Sequence, residues 1–145
     1  MIRDFRPDDI DNVMCLWLDT NILAHDFIDS GYWRGNFEAV KEMIPKATVF
    51  VYERDGDIRA FIGLMDSFIA GIFVSNDFQS KGIGKLLLDH AKDKHGELSL
   101  NVYKKNERAI SFYLREGFII SAEQTDENTS ETELIMKWKS IKSQI

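Results

Sequence analysis

Cysteine is nearly absent from this chain. The one thiol, Cys15, has no partner for an intramolecular disulfide and rules out a cysteine-rich metal site. Proline is almost as scarce, at two residues, and no low-complexity tract or internal repeat signals a linker, a disordered arm or a solenoid. No apolar run reaches the ~20 residues that a membrane-spanning helix needs. The opening residues, Met1-Ile2-Arg3-Asp4-Phe5-Arg6, lack the apolar core of a signal peptide. A cytoplasmic protein with no membrane partner is the expectation. A basic face is missing as well: 18 Lys and Arg stand against 24 Asp and Glu, for a net charge of −6 and a pI near 5.0. That balance argues against nucleic acid. It suits a cationic partner such as an amine, although acidity of this size also serves solubility alone. No histidine and acid pair has metal-ligand spacing, so no metal is expected.

What is present reads as an ordinary globular chain. Its 145 residues are 44% hydrophobic and 29% charged, which is enough for one core. One domain over residues 1–145 is expected, with a loose tail from about 140. Ile2 to Phe5 reads as a short strand. Pro7-Asp8-Asp9 then starts a helix in which Ile10, Val13, Met14, Trp17 and Leu18 recur at helical spacing. Cys15 falls within this pattern and is expected as a buried structural thiol. A polar and aromatic stretch spans Asp19 to Trp33, and a second helix spans about Gly35 to Ile44, ended by Pro45. Thr48 to Tyr52 and Ile58 to Met65 pair across Asp55-Gly56, a strong hairpin signal. Asp66-Ser67 turns the chain into strand Phe68 to Val74.

A third helix starts near Gly82 and stops near His95-Gly96, with Ile83, Leu86, Leu87, His90 and Ala91 on one face. His90 and His95 read as packing and helix-end residues. Leu98 to Tyr103 alternates as a strand, which makes residues 68–103 a β-α-β crossover with parallel strands. Asn106 caps a fourth helix, Glu107 to Glu116, closed by Gly117. Phe118 to Gln124 and Glu131 to Trp138 form a last hairpin. The order β-α-α-β-β-β-α-β-α-β-β makes a mixed α/β (α+β) protein. Its sheet has six to seven mostly antiparallel strands with a central parallel β-α-β pair, and there are four helices.

The most informative stretch is Gln79-Ser80-Lys81-Gly82-Ile83-Gly84-Lys85, at the junction of a strand and a helix. Helix N-termini present unpaired N–H groups and the positive end of the dipole, so they attract anions. Glycines there let a phosphate approach the backbone without a Cβ in the way. The Gln-x-x-Gly-x-Gly spacing differs from the glycine patterns of dinucleotide-binding proteins and P-loop NTPases, so a nucleotide-binding reading fails on spacing. Downstream, Val102 to Tyr113 contains Asn106-x-x-Ala109-x-x-Phe112-Tyr113, followed by Gly117-Phe118. Asn106 and Tyr113 are seven positions apart, almost two helical turns, and so share one face.

These two motifs and the element order resemble the GNAT superfamily of N-acetyltransferases over nearly the whole chain. The resemblance implies acetyl-CoA as cosubstrate. It implies that the backbone of Gln79, Ser80, Lys81, Gly82, Ile83, Gly84 and Lys85 holds the pyrophosphate, with the Lys81 and Lys85 charges secondary. It implies that Ile72, Phe73 and Val74 splay from the neighbouring strand and pair with the pantetheine arm. Asn106 would contact that arm. Tyr113 would be the general acid that supplies a proton to the departing CoA thiolate, against the plainer reading of a core aromatic beside Phe112.

The acceptor implied is a primary amine: a small amine, or a lysine or N-terminus of a protein. It attacks the thioester directly, and no covalent enzyme intermediate is required. His25, Phe27, Tyr32, Trp33 and Asp66 are candidate acceptor-site residues, or a flap over the core. His25, Asp26, Asp66 and Glu53 are candidates for the general base, and the pKa of His25 suits that task near neutrality. Leu16-Trp17, His25-x-Phe27-Ile28 and Tyr32-Trp33 are similar to small bacterial acetyltransferases of the YiaC type, which suggests a lysine in a protein or peptide. The competing reading is a CoA-binding sensor or interaction module without turnover. Either a monomer or a homodimer is compatible, with Leu134 and Met136 on the last strands as apolar residues that could serve an interface or the core.

Overall fold

A computed structural model describes residues 1–141. The elements run β1 (Ile2–Asp4), α1 (Ile10–Ala24), α2 (Ser30–Met43), β2 (Thr48–Arg54), β3 (Asp57–Met65), β4 (Phe68–Val74), α3 (Ile83–Lys92), β5 (Glu97–Tyr103), α4 (Glu107–Arg115), β6 (Ile119–Thr125) and β7 (Thr132–Lys139). This is the predicted order. The seven strands form one sheet in the order β1-β2-β3-β4-β5-β7-β6. Every neighbouring pair is antiparallel except β4 and β5.

Strand alternation sorts the core into two clusters on opposite faces of the sheet. Val49, Val51 and Phe61 face α1 and α2, where they meet Val13, Met14, Trp17 and Trp33. Phe50, Ala60, Ile62, Leu98, Leu100 and Val102 face α3 and α4, where they meet Ile83, Leu87, Leu88 and Tyr113. The β2–β3 turn is carried by Asp55 and Gly56, both at positive φ (56° and 83°) as a primed hairpin turn requires.

The decisive feature is a failure of pairing. Parallel register between β4 and β5 exists only at Phe68↔Ser99 and Ile69↔Leu100. Beyond it β4 continues to Val74 and β5 to Tyr103, each bonded only to its other neighbour. A register shift in the β3–β4 ladder at Gly63/Leu64 accompanies the divergence, as expected of a bulge that bends and twists a strand. The sheet therefore opens as a wedge towards the end of β4, where α3 begins.

Several expectations change. Cys15 is exposed. Each helical residue turns by about 100°, so while Val13, Met14 and Trp17 face the core, Cys15 points away from their arc. Asp19 to Trp33 is mostly helical, because α1 continues to Ala24 and α2 begins at Ser30. The Asp29 side chain accepts from the Gly31 N–H at 2.9 Å and caps α2, which starts at Ser30, five residues before the expected Gly35. On α3 the buried face holds Leu88, whereas Leu86 is half exposed. The helix ends at Lys92, before His95-Gly96. Leu134 and Met136 are core residues, and the exposed apolar pair at that edge is Ile119 and Ile120. The tail expected from about residue 140 lies beyond the last strand, and residues 142–145 are outside the described ones.

Candidate active site

The wedge between β4 and β5 opens into a cleft of about 990 Å³. Ile72, Phe73 and Val74 from the free end of β4 form one wall. Gln79, Ser80, Gly82, Ile83, Gly84 and Lys85 form the end at the start of α3. Asn106 and Tyr113 come from α4, and His25 and Phe27 from the segment between α1 and α2. Residues scattered from 20 to 116 are thus brought to one place by the splay.

The α3 end has the form of an anion site. Gly82 sits at φ 82°, a left-handed conformation that side-chain-bearing residues adopt at a cost, and it starts the helix. Ser80 also lies at positive φ, 63°. The first intrahelical bond runs from the Leu86 N–H to the Gly82 carbonyl, so the amides before it have no partner within the helix. A Cβ at Gly84 would meet Phe112 at 3.6 Å and Ile72 at 3.9 Å, both cleft walls. Lysine charge is directed elsewhere. The Lys85 ammonium pairs with Glu116 at 2.9 Å and Asp89 at 3.3 Å. Lys81 lies outside the cleft lining, over the Phe78 ring at 5.3 Å. The cation that reaches the loop is Arg108, which sequence reasoning missed. Its guanidinium donates to Gln79 Oε1 at 2.6 Å and to Ser80 Oγ at 2.8 Å. Gln79 in turn donates to the Val74 carbonyl at 3.2 Å. Its one local sign was a cation in the first turn of a helix, where the dipole disfavours it.

Tyr113 is buried against Phe112 and Phe118, with ring centroids 5.2 and 5.4 Å away. Burial raises the pKa of its hydroxyl, which is therefore protonated at neutral pH. Asn106 caps α4: its Oδ1 accepts from the Ala109 N–H at 3.3 Å. Its Nδ2 lies 3.2 Å from His25 Nε2. With Oδ1 committed to the cap, Nδ2 is the donor, so His25 Nε2 accepts and the ring proton is on Nδ1. His25 packs on Trp33 (5.1 Å, 25° between planes), Phe27 (5.7 Å) and Tyr103 (5.2 Å). Burial pushes its pKa down to about 4. The expected match between His25 and neutral-pH base catalysis is thereby corrected.

The other acceptor candidates divide. Trp33 lies behind His25 as a buried support, and Tyr32 packs on Trp33 at 4.9 Å. Neither lines the cleft. Asp66 is an exposed residue of the β3–β4 turn at φ 54°, at the opposite end of β4. Glu53 is held by Arg3 at 2.8 Å beside the N-terminal strand. Asp26 lines the cleft. A further unpredicted contact is the Tyr103 hydroxyl, which donates to Asp126 at 2.6 Å. Among the described residues there is no group of three or more His, Cys, Asp or Glu able to hold a metal ion, and no helix long and apolar enough to cross a membrane.

A splayed parallel pair thus leads from a glycine-bearing helix N-terminus to a buried tyrosine. Comparison with known proteins identifies the family. The acetyltransferase (GNAT) domain matches residues 45–120. The chain is 34% identical to the peptidyl-lysine N-acetyltransferase YiaC of Escherichia coli (strain K12), over 99% of both chains. It is 29% identical to the peptidyl-lysine N-acetyltransferase YjaB of the same organism, over 83% of this chain and 82% of that one. The solution structure of apo-form YjaB from Escherichia coli superposes with a TM-score of 0.84 over 95% of this chain and 96% of that one, at 24% identity. This chain belongs to the GNAT family of acetyltransferases. Members of the family use acetyl-CoA as cosubstrate.

Proposed function

We propose that this enzyme transfers the acetyl group of acetyl-CoA to the side-chain amine of a lysine in a protein or peptide, with Tyr113 as general acid. One observation carries the reading. A single cleft joins unpaired amides at the start of α3, the free edge of β4 and the Tyr113 side chain. The residues fit the cosubstrate: the α3 amides suit a pyrophosphate, and the unpaired β4 backbone suits an extended amide-bearing arm that adds as a strand. The lysine acceptor is the substrate class named for the relatives at 34% and 29% identity.

Acetyl-CoA would supply the activated acetyl carbon, and this chain's residues do the rest. The α3 amides and the Arg108-braced loop fix the anionic end, and the β4 edge aligns the arm. The acceptor amine attacks as the free base and loses its proton to water. Tyr113, neutral and buried, gives its proton to the sulfur as the C–S bond breaks. His25 stays neutral and holds Asn106.

Tyr113→Phe tests the assignment. The ring packing against Phe112 and Phe118 is kept, so folding and acetyl-CoA affinity should stay within about twofold. The turnover number should fall by roughly 100-fold, the scale of general acid catalysis. Equal turnover in both proteins would remove Tyr113 from the mechanism. Acetyl-CoA binding without transfer to any lysine peptide, in the wild type, would favour the CoA-binding module instead.

A further inference from the structure

The turn between β5 and α4 carries two consecutive lysines that the fold sends in different directions. Lys104 pairs with Glu123 at 2.8 Å, outside the cleft lining. Lys105 lines the cleft together with Tyr113, Asn106 and Phe27. Its ammonium lies 5.6 Å from the centroid of the Phe27 ring and pairs with Glu131 at 3.2 Å. The two lysine side chains are equally exposed, at 62% each. They differ in where they point.

The backbone on either side of Lys105 is fixed. The Lys104 N–H donates to the Thr132 carbonyl at 2.9 Å, the Asn106 N–H donates to the Tyr103 carbonyl at 2.9 Å, and Asn106 caps α4. The four-carbon stem is the free part, and a lysine stem swings readily. The Glu131 pair that holds it is solvent-exposed on the lysine side, a type of pair that contributes little. Phe27 stands against His25 and Tyr103 and lines the cleft. An ammonium of this chain thus already rests on an aromatic wall of the cleft that Tyr113, the residue assigned to protonate the leaving group, also lines.

We propose that Lys105 is a self-acetylation site, modified within its own chain by acetyl-CoA bound in the cleft. The inference rests on the acetyl-transfer reading above. The neutral Lys105 Nζ forms a C–N bond to the thioester carbonyl carbon, the C–S bond breaks, and CoA leaves as the thiolate. The thiolate takes the Tyr113 proton, and the proton lost from Nζ goes to water, from which Tyr113 is restored. Acetyl-Lys105 keeps its length and loses its charge. It releases Glu131, lies as a neutral amide on Phe27 and occupies the wall along which an external lysine would approach. The modification is therefore self-limiting.

Lys104 is the internal control, because acetyl-CoA also acylates exposed lysines without catalysis. Purified full-length protein is incubated with isotope-labelled acetyl-CoA, and fragment-ion series resolve the two positions. The expected result is a gain of one acetyl group, with Lys105 labelled at least tenfold faster than Lys104. The rate per chain is independent of protein concentration, lost in Lys105→Arg, and lowered at least tenfold in Tyr113→Phe. Equal labelling of the two lysines, or equal rates in Tyr113→Phe, overturns the proposal. A lysine peptide assayed in parallel separates the two levels. Peptide acetylation with an unlabelled Lys105 defeats self-acetylation alone, whereas no acetylation of either defeats the acetyl-transfer reading as well.

Discussion

Asn106 has both ends of its amide in use. Oδ1 caps α4 and Nδ2 donates to His25, a residue 81 positions away in the chain. The arrangement holds only while His25 Nε2 is unprotonated. Burial is the main cause of the shift from the ordinary 6.5 to about 4, so the folded protein refuses a proton that the unfolded chain accepts. The sign follows. Stability from this group is complete above pH 6.5 and is lost as pH falls from 6.5 through 4, because the unfolded state binds more protons there. The whole shift corresponds to about 3 kcal/mol. Urea unfolding of wild type between pH 7 and pH 4 should show this loss on top of the carboxylate contributions. His25→Gln, neutral throughout and able to accept from Asn106, should show a shallower fall. Parallel pH profiles would mean that His25 titrates normally. The same lowered pKa makes His25 a weak base near neutrality.

At the scale of elements, the glycines at the start of α3 do different work. Gly82 is needed for its conformation. Alanine at φ 82° is strained, at a cost of about 1–2 kcal/mol, although nothing lies within 4 Å of where its Cβ would stand. Gly84 has ordinary helical geometry, where alanine is favoured by up to about 1 kcal/mol. Its methyl would stand against Phe112 and Ile72, both of which line the cleft. Calorimetry and thermal unfolding together should separate the two. Gly82→Ala lowers both stability and acetyl-CoA affinity. Gly84→Ala leaves the melting temperature equal or higher, yet weakens acetyl-CoA by an order of magnitude. Lys81→Ala changes acetyl-CoA affinity by no more than about twofold, since its ammonium rests on Phe78. A Lys81→Ala loss as large as that of Gly84→Ala would return the phosphate site to side-chain charge.

These elements also show what the sequence could convey. Strands and helices with period and caps of their own, from Thr48 to Lys139, were legible to within a few residues, as were the loop and the Asn106–Tyr113 face. The start of α2 was placed about five residues late, because its cap, Asp29, lies inside the stretch read as polar and aromatic. Contacts between distant segments left little local trace. Arg108 on Gln79, His25 on Asn106 and Tyr103 on Asp126 join residues 23 or more positions apart. The lowered pKa of His25 and the burial of Trp33 are properties of that assembly, whatever the residue types alone suggest.

For the whole molecule, the cleft lies along the seam between its two cores. Phe73, Phe27 and Tyr103 pack with the α1–α2 side, and Ile72, Val74, Ile83, Phe112 and Tyr113 with the α3–α4 side. Strands β1–β4 and β5–β7 meet directly at two register pairs. A ligand bound in the wedge would touch both cores and supply the pairing that β4 and β5 lack. It would bind the folded chain and have no site on the unfolded one. At a hundred times its dissociation constant, such a ligand stabilises by about 2.7 kcal/mol. For a chain of this length each kcal/mol raises the melting temperature by roughly 3 °C. Acetyl-CoA should therefore raise it by about 8 °C, and CoA, which keeps the pyrophosphate and the arm, by a similar amount. ATP and NAD carry phosphates without the pantetheine arm and should shift it by less than about 2 °C at equal concentration. A scanning-calorimetry series over the four ligands decides the matter: equal shifts would reduce the wedge to a general phosphate site, and no shift with acetyl-CoA would mean that the splay of β4 from β5 is a structural irregularity without a ligand.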